Sequence, residues 1–86
     1  MFMQYEMTRH IITDPTHQLF LGRRFHDGIE PYSTVMIDSA FLFFDEKNAR
    51  DTIRQLADFC LEHGLTDVLP VTITWKFERP DDKTNV

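Results

Sequence analysis

This sequence predicts an α+β domain of two layers, a small antiparallel or mixed sheet with one amphipathic helix packed on one face. Three observations lead there. Two stretches near the chain ends alternate apolar and polar residues with a period of two, a turn signal early in the chain closes a hairpin, and a single long segment carries helical periodicity between good start and stop signals. The element order is β-β-β-α-β, and without repeated strand-helix alternation a doubly wound parallel sheet is not expected.

Residues 2–12, FMQYEMTRHII, place Met3, Tyr5, Met7 and Ile11 on one side and Gln4, Glu6, Thr8 and His10 on the other, the pattern of a strand with one face inward. TDPTH follows. Asp14 and Pro15 suit the opening of a type I turn, because proline presets its backbone angle and the aspartate can bond back to the chain. A hairpin into residues 18–25 is the consequence. Residues 26–33, HDGIEPYS, hold a glycine and a proline with little periodicity and read as a loop. TVMIDSAFLFF then resumes β character and divides near Asp38 and Ser39.

The helix lies in DEKNARDTIRQLADFCLEHG. Asp45 is a good N-cap, Asn48 leaves the capping box incomplete, and Gly64 stands where a left-handed residue ends a helix. Ala49, Ile53, Leu56, Ala57 and Cys60 form the inward stripe of roughly 18 residues, ~27 Å of helix. Phe59 and Leu61 flank that stripe on opposite sides and widen it beyond what one sheet face needs, so they are candidates for self-association. The opposite face, with Lys47, Asp51, Arg54, Asp58 and Glu62, reads as a solvated surface with helical ion pairs such as Glu46 with Arg50. The last strand, VTITWKFE, points Val71, Ile73, Trp75 and Phe77 one way, toward the core, and its threonines and charges the other. Residues 1–79 form one domain and residues 80–86 a flexible polar tail.

Composition narrows the function. With 14 acidic and 9 basic residues the formal charge is −5, which disfavours direct binding to phosphate backbones. No apolar run approaches the ~20 residues that span a bilayer. The single cysteine cannot form an internal disulfide, and no leader is recognisable at the N-terminus, so a cytoplasmic location is expected and no membrane partner. Eight phenylalanines against one tryptophan and two tyrosines imply a generous aromatic core or a sticky surface.

No catalytic constellation emerges. His10, His17 and His26 lack the short ligand pair of known zinc sites, and Cys60 is remote from them on the helix. Ser33, Ser39 and Cys60 sit in no nucleophile-elbow pattern, the paired carboxylates Asp45–Glu46 and Asp81–Asp82 are explained by capping and by the tail, and no glycine-rich phosphate loop exists. No enzyme activity, metal or cofactor is expected. The basic, aromatic stretch FLGRRFHDG is a different case: Arg23, Arg24, Phe25 and Tyr32 are the residue types enriched where proteins meet, since guanidinium pairs with carboxylates and stacks on rings.

The stretches LFLGRRF and SAFLFFDEKNARDTIRQL resemble those of small accessory proteins encoded by bacteriophages and prophages, over roughly residues 5 to 60. That resemblance implies a one-domain binder, of the anti-CRISPR or other anti-defence type, that occludes or redirects a protein of a bacterial host. A nucleic-acid-binding host protein is one expected target, with Asp51, Asp58 and Glu62 standing where phosphates would lie. The alternative expectation is a homodimeric module with a small-ligand site at its junction.

Overall fold

The computed structural model describes residues 1–25 and 29–78, except for the side chains of Arg24, Phe25 and Ile29. Four strands form one antiparallel sheet: β1 (Phe2–Thr13), β2 (Phe20–Phe25), β3 (Ile29–Thr34) and β4 (Asp67–Glu78), in the order β3-β2-β1-β4. A short 3-10 turn (Ile37–Ser39) and two helices, α1 (Glu46–Gln55) and α2 (Ala57–His63), lie between β3 and β4. The two-layer α+β architecture is as the sequence predicts.

The β1–β2 hairpin is held by one carboxylate. Asp14 Oδ1 accepts the backbone N–H groups of Gln18 and Leu19, both at 2.8 Å, while Oδ2 accepts the Thr16 N–H at 3.3 Å and the Thr16 hydroxyl. Pro15 sits second in the turn, whose closing bond runs from the His17 N–H to the Asp14 carbonyl at 3.0 Å. His17 takes a left-handed φ of 59°, and Thr13 Oγ1 donates to the Leu19 carbonyl at 2.7 Å. The Thr16 hydroxyl, with the Leu19, Gln18 and Thr16 N–H donors, holds the Asp14 carboxyl far below its ordinary range.

β1 and β4 pair over their full lengths, from Phe2↔Glu78 to Thr13↔Asp67. β2 joins β1 only at the hairpin mouth, where the register is Thr13↔Phe20, and then diverges. The extended segment 41–43 fills the resulting wedge. Phe41 N–H donates to the Leu21 carbonyl at 2.8 Å, and His10 and Phe43 exchange backbone hydrogen bonds of 2.9 and 2.8 Å. Alternation along this segment sends Phe41 and Phe43 to the helix side, where Ile12, Leu21, Ala49, Cys60 and Leu65 close the main core. A smaller cluster of Ile11, Phe20 and Ala40, with Leu69 and Val71 against it, lies apart from the main core. Its β1 and β4 members have the opposite parity to Ile12 and Val68, so it sits on the other side of the sheet.

Four sequence expectations are corrected. Residues 26–33 are not a loop throughout, because 29–34 form β3; residues 26–28 lie outside the described residues, as do residue 79 and the tail, 80–86. Glycine is the reason β3 can pair so closely: the Tyr32 ring lies across Gly22, and a Cβ there would sit 2.3 Å from the ring. The helix is two helices. Leu56, at φ −109° and ψ 35°, ends α1 and caps α2, just after buried Thr52 returns its hydroxyl to the Asn48 carbonyl at 2.9 Å, a bond that bends helices. The reorientation leaves Ala57 exposed and turns Phe59 onto the core.

The fourth correction concerns the face that carries Met3, Tyr5, Met7, Ile73, Trp75 and Phe77. The sequence places it in the core beneath the helix, whereas the helix-side core is closed by Ile12 and Val68, residues of the other parity. The caps are as predicted: Asp45 Oδ1 accepts the Asn48 N–H at 2.7 Å, and Gly64, at φ 68°, ends α2 with the Leu65 N–H donating to the Cys60 carbonyl at 2.8 Å.

Two outcomes follow. Asp14 has a folded-state carboxyl below the unfolded one, so its stabilisation is present above the ordinary value of 3.8 and is lost as pH falls below it. Asp14→Ala should therefore lower the urea midpoint at neutral pH, and the gap to wild type should hold down to pH ~4 and narrow progressively as pH falls further. Gly22→Ala should destabilise by ~1–3 kcal/mol by displacing Tyr32, whereas the double change with Tyr32→Ala should cost less than the two single changes added.

Candidate functional site

Period-two alternation combined with the β1–β4 register puts all odd-numbered residues of both strands on one face. The cross-strand pairs are Met3↔Phe77, Tyr5↔Trp75, Met7↔Ile73, Arg9↔Val71 and Ile11↔Leu69. Seven of those ten side chains are aliphatic or methionine or phenylalanine, one pair is Tyr–Trp, and the sole charge is Arg9. The opposite face of the same two strands carries Gln4, Glu6, Thr8, Thr72, Thr74 and Lys76. An amphipathic ribbon of this kind has one face made for apolar contact.

The helices leave it open because they pack on the other side of the sheet, against Ile12 and Val68. Twelve residues of strand run ~40 Å at ~3.3 Å per residue, whereas the ten residues of α1 span ~15 Å. The helices cover the hairpin end on the polar-parity side, and the remaining ribbon extends past them, giving the molecule a long axis of 57 Å against 30 and 23 Å. Tyr5 is 56% exposed, Trp75 47% and Phe77 44%. Tyr5 and Phe77 stack with ring centroids 5.9 Å apart and planes inclined by 14°. Toward the hairpin end the same face dips into a groove of about 380 Å³ lined by Ile11, Ile37, Leu42, Val71 and Ile73, with Asp38 at its edge.

A second cleft lies on the helix side. Arg23, which the sequence singles out, is half-buried, with its guanidinium 5.2 Å from the Phe41 ring centroid. Its Nε is buried and has no hydrogen-bond partner among the described residues. Asn48, Asp51 and Gln55 of α1 complete a cleft of about 410 Å³ around it. Arg23 therefore packs inward rather than forming an open basic patch. Tyr32 lies on β3, where its hydroxyl donates to the Ser39 carbonyl at 3.3 Å, away from Arg23's side of β2. The side chains of Arg24 and Phe25 lie outside the described residues.

The acidic helix residues do not act as one group. Asp51 is engaged by Arg54 and, at 3.8 Å, by Lys47, while Asp58 and Glu62 stand exposed one turn apart on α2. Glu46 pairs with Arg50 at 3.0 Å, as the spacing predicts. Of the two helix flanks, Phe59 packs against the core and stacks on the His63 ring with centroids 4.3 Å apart, whereas Leu61 is exposed. Cys60 is 1% exposed and its burial raises the thiol pKa, an environment that suppresses the thiolate. Among the described residues no three His, Cys, Asp or Glu side chains converge as a metal site would require.

Comparison with protein-family models, with curated proteins and with solved structures finds no match for this chain. No described helix is long and apolar enough to cross a membrane.

The ribbon face is legible in the sequence once both strands are read together. Each strand alone predicts a core face; which side the helices cover is decided by contacts between residues far apart in the chain. Cys60 yields a direct check of its environment: alkylation by iodoacetamide should be negligible in the native state, and its rate should rise with urea in step with unfolding measured by circular dichroism.

Proposed function

We propose that this chain is a non-catalytic protein-binding module that works by laying the apolar face of its β1–β4 ribbon against another protein. One observation carries the reading: Tyr5, Trp75 and Phe77 stand about half exposed on a face whose other members, Arg9 apart, are methionine and aliphatic side chains. Monomeric proteins seldom leave contiguous apolar surface of that extent in water, and where they do it marks an interaction site. The residue types agree, since Tyr, Trp, Phe and Met are those enriched at the centre of protein interfaces and carboxylates those depleted. In the setting that the phage-like resemblance implies, such a face would occlude the surface of a host protein.

The geometry favours this face over the acidic helix as the working surface. A phosphate-mimicking surface needs several uncompensated carboxylates at close spacing, and Asp51 is neutralised locally, which leaves Asp58 and Glu62.

Pull-down from host lysate with three tagged forms tests the reading: wild type, Trp75→Asp, and the pair Asp58→Lys with Glu62→Lys. Capture should survive moderate salt, fall at least tenfold in Trp75→Asp and persist in the lysine pair. Capture that persists in Trp75→Asp and disappears in the lysine pair or with salt overturns the apolar reading in favour of acidic mimicry.

A further inference from the structure

We infer that the ribbon face is covered by a second copy of this chain, packed sheet on sheet about a twofold axis that passes between Met7 and Ile73. The inference rests on the protein-binding reading of that face and names its occupant.

The first argument is stability. Beyond the helices the distal part of the molecule is two strands, and a two-stranded ribbon by itself is marginal in water unless a further layer covers its apolar face. The second is charge. Each chain carries a formal −5, so two copies repel through most surfaces. The ribbon face between Met3 and Ile11 holds no carboxylate, and its one cation, Arg9, lies over the Phe44 ring at 5.1 Å. Glu6 and Glu78 point to the other side of the ribbon, so the carboxylate each copy brings to this contact is Asp38 of the groove.

The third argument is area. At 150–250 Å² for an aromatic side chain, three rings about half exposed offer ~300 Å². Ile37 and Leu42, exposed at the groove, and the partly exposed Met3, Met7, Val71 and Ile73 raise this to ~700 Å², close to the ~800 Å² per partner of a standard stable interface.

The fourth is self-complementarity. The face has aromatic rings at its distal end and a groove at the hairpin end, and Ile73 lies midway between Trp75 and Val71 along β4. A twofold axis near Ile73 and Met7 carries the Trp75 end of each copy ~13 Å along the strand onto the groove of the other. Two sheets stacked ~10 Å apart accommodate this arrangement. Asp38 at the groove edge then offers an acceptor to the indole N–H of Trp75 or the hydroxyl of Tyr5 from the second copy.

The test exploits Trp75 as the only tryptophan, so that its fluorescence reports on this face alone. Sedimentation equilibrium at micromolar concentration should give twice the 10.2 kDa chain mass, with Trp75 emission shifting to the red on dilution over the range where the mass falls. Trp75→Asp and Ile37→Asp, both at exposed positions and checked for native circular dichroism, should each weaken the dimer at least tenfold. Mixed together, the two variants should form a heterodimer about tenfold tighter than either homodimer, because one ring-to-groove contact is restored intact.

A monomer whose emission is independent of concentration overturns the second copy. So does a dimer unaffected by both substitutions, and so does a mixture without preferential heterodimer, which removes the twofold register. None of these outcomes bears on salt-resistant, Trp75-dependent capture of a different protein, which tests the underlying reading separately.

Discussion

The antiparallel register between β1 and β4 is the constraint on which the rest of the structure depends. Because the pairing runs without interruption from Phe2↔Glu78 to Thr13↔Asp67, residues of like parity in two strands more than fifty positions apart share one face. Slipping that register by one residue would move β4's aromatic and aliphatic side chains to the side of Gln4, Glu6 and Thr8. Strands that alternate so cleanly separate apolar from polar only in registers of the right parity. The same pairing sets the long axis of the molecule, since no other element among the described residues is ~40 Å long.

Against that ribbon, the remaining elements are arranged at one end. The Asp14 carboxylate fixes the hairpin, β2 leaves β1 at once, and segment 41–43 enters the gap with backbone bonds to both strands. This wedge is what allows a small sheet to have a core on each side. Phe41 and Phe43 go to the helices, while Ala40 and Leu42 face the other way. The kink at Leu56 then lets two short helices follow a twisted sheet that one straight helix could not follow, and buries Phe59 in place of Ala57.

The consequence is a molecule with two unlike surfaces. The helix side carries compensated charge, Asp51 with Lys47 and Arg54 and Glu46 with Arg50, and one inward-packed arginine in a modest cleft. Exposed ion pairs of this sort contribute little to stability and keep the surface soluble. The ribbon side carries almost no charge and most of the exposed aromatic area, which is where the chemistry of the chain favours contact with protein.

The sequence by itself determined the class of fold, the two end strands, the turn at Asp14 and Pro15, and both caps of the helical segment at Asp45 and Gly64, because each depends on local stereochemistry within a few residues. It also determined that Met3, Tyr5, Met7 and Ile11 share a side, and that Val71, Ile73, Trp75 and Phe77 share one. Only the tertiary structure decided that these two sides are the same face and that the helices cover the other. Periodicity reports that a face is apolar but not what lies on it. That choice was made at the hairpin end, where Ile12 and Val68, single apolar residues of the opposite parity, meet Leu21, Phe43, Ala49 and Cys60. The surroundings of Arg23 are of the same kind: its exposure depends on Phe41, eighteen residues away in the chain, which only the folding of the wedge brings beneath its guanidinium.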